Sequence, residues 1–236
     1  MNLAPSLPVT TQWIELDPGH QGYLALPPGG SGPGLLLFQE IFGVNEHIRA
    51  VAEQYAADGF VVLAPDVFWR EAPRVELGYV GDDRTRGMAL AQSLQLPQLL
   101  ADMATALAVL RDRPEVGGRK VGTLGYCMGG RLAWLAAAAT NVDCAVAFYG
   151  GGIHTMLDRA AAVRCPLQFH YAEHDDHIPP AAVEQVRAAV AGKAAELHVY
   201  PGAHHGFNCW ARASYHAASA ALSHGRATTF LAQHLF

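Results

Sequence analysis

The chain has 236 residues, of which 51% are hydrophobic and 16% charged, with a formal net charge of −5. That size and apolar content suit one well-filled core, and the acidic balance leaves no basic face of the kind nucleic acid demands. No run of about 18 apolar residues predicts a membrane span, and the four cysteines, all widely spaced, suggest neither a disulfide framework nor a zinc site.

Residues 1–8 lack the basic n-region and apolar h-region of a signal peptide, so a cytoplasmic location is expected, with a flexible tail over residues 1–11 and a single domain over 12–236. Residues 12–16 and 22–26 read as an opening hairpin. The turn-forming stretch 27–34, rich in proline and glycine, separates it from the continuous apolar run Leu35-Leu36-Leu37-Phe38, a strand covered on both faces. A helix near 46–58, a strand at 60–64, helices near 82–95 and 98–112 and a strand at 119–124 follow. A helix at 131–139, strands at 144–148 and 166–170, a helix near 180–190, a strand at 196–200 and a last helix near 213–234 complete the chain. Such alternation predicts an α/β fold, a mostly parallel central sheet with helices on both faces. Ligand chemistry in such folds collects at the carboxyl ends of the strands.

The most informative stretch is Leu124-Gly125-Tyr126-Cys127-Met128-Gly129-Gly130. It has the G-x-Nuc-x-G-G form of a nucleophile elbow, with cysteine in the place of serine. A sharp strand-to-helix turn holds one side chain above the sheet only where its flanks are nearly free of side chains, a condition Gly125 and Gly129 meet. Cys144 and Cys165, within apolar strands, read as small core hydrophobes.

Two later strand ends carry an acid and then a histidine, the order expected of nucleophile, acid and base on such a sheet. An imidazole can take the thiol proton, and a carboxylate can fix its tautomer and stabilise its charged form. Glu173, Asp175 and Asp176 compete for the acid, and His204 and His205 for the base. The remaining histidines, including His20, His47, His154 and His224, read as surface residues. Phe42, Trp69, Tyr79, Tyr149 and Trp210 are candidates for lining an apolar pocket.

Together, Gln39-Glu40-Ile41-Phe42-Gly43-Val44-Asn45, the elbow, Asp175 to Pro179 and His205-Gly206-Phe207 resemble the dienelactone hydrolase family, over nearly the whole chain. The resemblance implies an α/β-hydrolase fold and a cysteine-dependent hydrolase of small lactones or esters, of the carboxymethylenebutenolidase type, working through a thioester without metal or cofactor. A promiscuous carboxylesterase or thioesterase is the alternative within that class, and a non-catalytic ligand binder the alternative outside it. Pro179, four residues after Asp175, selects that acid, and Gly206-Phe207 selects His205. The backbone amides of Ile41 and Met128 would form the oxyanion hole. Glu40 would lie beside the thiol and hold it protonated until substrate displaces the carboxylate.

The same resemblance implies a pair of arginines for a substrate carboxylate, joined in substrate binding by Phe42 and Tyr149. Arg84 matches one, with Arg86 as second choice. The other position, four residues past the histidine, is Cys209, which leaves Arg212 on the expected last helix as the substitute. The partner expected is a small-molecule lactone or ester acting on a monomer, with no nucleic acid and no membrane.

Overall fold

The computed structural model describes residues 8–236. Its strands are β1 (Thr10–Asp17), β2 (His20–Leu26), β3 (Gly34–Phe38), β4 (Val61–Pro65), β5 (Val121–Tyr126), β6 (Ala145–Phe148), β7 (Leu167–His174) and β8 (Ala195–His204). Six α-helices accompany them among the described residues: α1 (Glu46–Ala57), α2 (Gly81–Ser93), α3 (Leu96–Arg111), α4 (Met128–Ala139), α5 (Pro180–Ala189) and α6 (Ala217–Leu235). The expected tail reached residue 11, but Thr10 and Thr11 already pair with Leu26 and Ala25; the rest of that tail, residues 1–7, lies outside the described residues.

One eight-stranded sheet runs in the order β1-β2-β4-β3-β5-β6-β7-β8. The first hairpin and the β2–β4 pair are antiparallel, and all other pairs are parallel. Every residue of β3, β4, β5 and β6 is buried, as continuous apolar runs in a sheet covered on both sides require. The register shows which helices cover which side. Gly34 pairs with Val121 and lies against Leu110 of α3, whereas Gly122, the next residue along β5, lies against Leu235 of α6. Successive strand residues face opposite ways, so α3 and α6 occupy opposite faces. Each Leu, Val or Phe buried between these layers contributes about 1.5–3 kcal/mol before the entropy of ordering is subtracted.

Three boundaries differ from expectation in a way that bears on the site. β7 and β8 each run four residues further, to His174 and His204, with His174 paired to His204. Glu173 and His174 on β7 and Pro201, Gly202 and His204 on β8 are exposed, so no apolar run signals these ends. α6 begins at Ala217 rather than near 213, because residues 206–215 form successive tight turns: Cys209 N–H donates to Gly206 O, Arg212 N–H to Cys209 O and Tyr215 N–H to Arg212 O. No single helix among the described residues is long and apolar enough to cross a membrane.

Candidate active site

Cys127 stands between β5 and α4 with φ 55° and ψ −115°, a left-handed backbone that an L-residue adopts only under constraint. The constraint is visible in its glycines. A Cβ on Gly125 would run into the Gly129 carbonyl, one on Gly129 into the Phe38 carbonyl, and one on Gly130 would lie 2.6 Å from Phe148 O. Cys127 N–H is anchored to Phe148 O at 3.0 Å, and the chain enters α4 at Met128. The thiol therefore sits half-buried at the N-terminus of a helix, where free amides and the helix dipole favour negative charge.

Asp175 and His205 follow directly on β7 and β8. His205 Nδ1 lies 2.8 Å from Asp175 Oδ2, and Asp175 Oδ1 accepts from the backbone N–H of His177 and Ile178 at 2.9 and 3.1 Å. Both side chains are buried, which fixes the imidazole through an oriented carboxylate. The competing residues point elsewhere: Glu173 accepts from Gly202 N–H, and Asp176 and His204 are exposed. His205 Nε2 is buried with no hydrogen-bond partner, so it is open to take a proton. Burial opposes the imidazolium, but the charge on Cys127 and the bond to Asp175 outweigh it and raise His205 above its ordinary value.

The loop after β3 is braced on three sides. Gln39 Oε1 accepts from Val67 N–H, Phe42 O accepts from Leu77 N–H, and Asn45 caps α1 while donating to Leu77 O and Tyr79 Oη. A Cβ on Gly87 of α2 would lie 2.5 Å from Ile41 O, so this glycine lets α2 lean on the same loop. Neither Ile41 nor Met128 donates a backbone hydrogen bond among the described residues, as two oxyanion donors would require.

Glu40 is fully buried and its ion partner is an arginine. Its carboxylate makes no hydrogen bond to the thiol; Oε1 accepts from Arg212 Nη1 at 3.0 Å, and Oε2 has no partner. Burial raises the Glu40 pKa, with the charges of Arg212 and His205 pulling the other way. Arg212 comes from the turns before α6, not from the helix, and lies directly over Gly206, where a Cβ would strike the guanidinium. Its Cζ lies 5.8 Å from the Phe42 ring centre and 5.9 Å from that of Tyr79. Cys209 is fully buried and its thiol is pushed up to about 12, chiefly by burial and then by Glu40.

These groups open onto a cavity of about 340 Å³. Cys127, His205, Arg212, Ile41, Phe42 and Met128 line it, joined by Arg84 and Met88 of α2, by His177 and by Arg131 of α4. Arg86 does not reach it. His177 is held below its ordinary value by burial and by the positive charges of His205 and Arg84. Tyr149, expected to line the pocket, is instead wholly buried behind the imidazole, edge-on to His205 at 5.0 Å. Trp69 and Trp210 lie outside the cavity and cover two histidines that the sequence suggested were on the surface. His20 stacks on Trp69 at 4.9 Å and His47 meets Trp210 at 4.2 Å, leaving both imidazoles buried. Arg131 carried no signal in the sequence beyond its position four residues after Cys127, one helical turn along α4.

A mostly parallel sheet flanked by helices, with a strand-to-helix elbow, an acid and a histidine at successive strand ends, defines an α/β hydrolase. The dienelactone hydrolase family model matches residues 20–235. A carboxymethylenebutenolidase of Pseudomonas putida is 34% identical over 209 residues, covering 87% of this chain and 88% of its own, and one from Pseudomonas sp. strain P51 is 35% identical over 184 residues, covering 77% of each. A Klebsiella pneumoniae crystal structure described as a dienelactone hydrolase superposes with a TM-score of 0.84 at 31% identity, over 95% of this chain and 99% of the other. The chain belongs to the dienelactone hydrolase family and is a hydrolase of that type.

Proposed function

We propose that the protein hydrolyses small lactones or esters that carry a carboxylate, through a thioester on Cys127. The observation that carries this reading is the strained elbow that holds Cys127 at the N-terminus of α4, in one cavity with the Asp175-bound His205. The thiol proton passes to His205 Nε2, and the sulfur attacks the substrate carbonyl. The Ile41 and Met128 amides hold the oxyanion. As the C–O bond breaks, the imidazolium returns its proton to the leaving oxygen, giving an enol or alcohol. Water then gives a proton to His205 and attacks the thioester, releasing the acid and the thiol. No metal or cofactor is called for.

Glu40 acts through Arg212. A substrate carboxylate that pairs with Arg212 and Arg84 draws the guanidinium away from Glu40, and bidentate geometry suits that exchange. The carboxylate of Glu40 is then free to stabilise the imidazolium of His205, whose charge it already feels. This keeps the expected link between substrate arrival and thiol activation, with the arginine as intermediary. The setting we infer is a monomer in the cytoplasm.

A chromogenic aryl ester assay tests the reading. Cys127→Ala should lose turnover while retaining the wild-type melting temperature, and iodoacetamide should inactivate the wild type. Turnover retained by Cys127→Ala would sink it, and a wild type that hydrolyses no ester at all would favour the ligand-binder alternative.

A further inference from the structure

The cavity is far more basic than the chain around it. It is lined by three arginines and two histidines and by no aspartate or glutamate, in a protein of net charge −5. Arg212 is already matched by Glu40, but Arg84 and Arg131 have no ion-pair or hydrogen-bond partner among the described residues. Guanidiniums without counter-ions lining one small cavity make it attractive to anions.

The helices that carry them lean on loops at opposite sides of the nucleophile's strand. Arg84 lies on α2, which leans on the loop after β3 through Gly87 and Ile41. Arg131 lies on α4, and its side chain runs along Gly152 in the loop after β6, where a Cβ would be 3.4 Å from both its Cδ and Nη1. β3 and β6 flank β5 on its two sides. A single carboxylate held by Arg84 and Arg212 leaves Arg131 as a third guanidinium of the same cavity with no counter-ion.

We propose that Arg131 binds a second anionic group and makes this site selective for dianionic substrates, lactones or esters bearing two carboxylates. The proposal rests on the hydrolase reading for its reaction, but its binding part stands apart from turnover. Arg84 with Arg212 takes one carboxylate, Arg131 takes the other, and the scissile carbonyl lies between them over the thiol. A monoanionic substrate satisfies one end only.

Calorimetric titration tests this with the α,ω-dicarboxylates from malonate to adipate, each against the monocarboxylate of equal length, on wild type, Arg131→Gln, Arg131→Lys and Arg84→Gln. At least one dicarboxylate should bind wild type about 10- to 100-fold tighter than its monocarboxylate, the worth of one charged hydrogen-bonded pair. Arg131→Gln and Arg84→Gln should each abolish that gain, and Arg131→Lys should restore part of it. The same dicarboxylate should slow alkylation of Cys127 by iodoacetamide, read by peptide mass spectrometry. No dicarboxylate advantage on wild type, an advantage that survives either glutamine substitution, or binding without protection of Cys127 each overturns the proposal. Hydrolysis of 4-nitrophenyl acetate by the same preparation reports separately on the hydrolase reading, so either can fail alone.

Discussion

Removing Arg212 should expose how strongly Glu40 depends on it. The Glu40 side chain is 1% exposed, its one hydrogen bond comes from Arg212 at 3.0 Å, and its second oxygen has no partner. An Arg212→Met variant keeps much of the stem that packs near Phe42 and Tyr79 but leaves a buried carboxylate with nothing to neutralise it. Breaking such a pair from one side costs about 3–5 kcal/mol. The loss should depend on pH, because the stranded carboxylate escapes its penalty by binding a proton. Burial already raises the Glu40 pKa, and loss of Arg212 raises it further. A folded pKa above the unfolded one gives stability that is present at low pH and lost as pH rises through the folded value. The deficit of Arg212→Met against wild type should therefore grow as pH rises above the ordinary carboxylate range. Urea unfolding followed by tryptophan fluorescence measures it, provided the slope with denaturant is unchanged. Adding Glu40→Gln to Arg212→Met should recover most of the loss, since the two side chains are in contact and their effects are not additive. A single-variant loss below about 1 kcal/mol, or a double variant no more stable than the single, would refute a buried carboxylate held by one arginine.

Asp175→Asn should fold normally and lower kcat by about 10³- to 10⁴-fold, because the amide no longer fixes the imidazole as a proton acceptor toward sulfur; steady-state kinetics on an aryl ester decides this, and a loss under tenfold would contradict the role. Gly206→Ala places a Cβ against the Arg212 guanidinium at φ 80°, so it should raise KM for a carboxylate-bearing ester more than for a neutral one; equal effects on both would argue against Arg212 as an anion contact. Cys127→Gly should be about 1–2 kcal/mol more stable than Cys127→Ala, because glycine tolerates φ 55° without strain, a difference visible in thermal melts. His47 is buried without hydrogen bonds and held down at about 4 by burial and by Arg212. Its unfolded value of 6.5 means stability is full above that pH and declines by roughly 3 kcal/mol as pH falls toward 4. His47→Phe should flatten that slope in a melting-temperature profile from pH 7 to 4, and an unchanged slope would show that other groups carry it.

Most of the fold was legible because the inner strands are uninterrupted apolar runs and the helices between them are periodic. The ends of β7 and β8 were not, since Glu173, His174 and Pro201 to His204 extend the ladder without an apolar run, held by backbone pairing and by Glu173 accepting from Gly202 N–H. The elbow announced itself through Gly125 and Gly129, whose absent side chains the turn requires. Asp175 and His205 needed the family resemblance, because physics along the sequence does not separate neighbouring carboxylates or imidazoles. Arg212 shows the limit of counting positions. Cys209 stands where an arginine was expected, and two successive tight turns bring the guanidinium of Arg212 back over Gly206, 172 residues in sequence from the glutamate it meets. His20 and His47 were misread as surface because a tryptophan distant in sequence covers each. Arg131 was hidden in plain sight, since a charged residue on a helix ordinarily faces water.

The central claim is that Cys127 becomes acylated. Acid quench during turnover of a slowly released aryl ester, followed by peptide mass spectrometry, should find the acyl group on the peptide containing Cys127, at a level that rises with the burst of phenol. An acyl group on another side chain, or turnover that persists in Cys127→Ala, would contradict it.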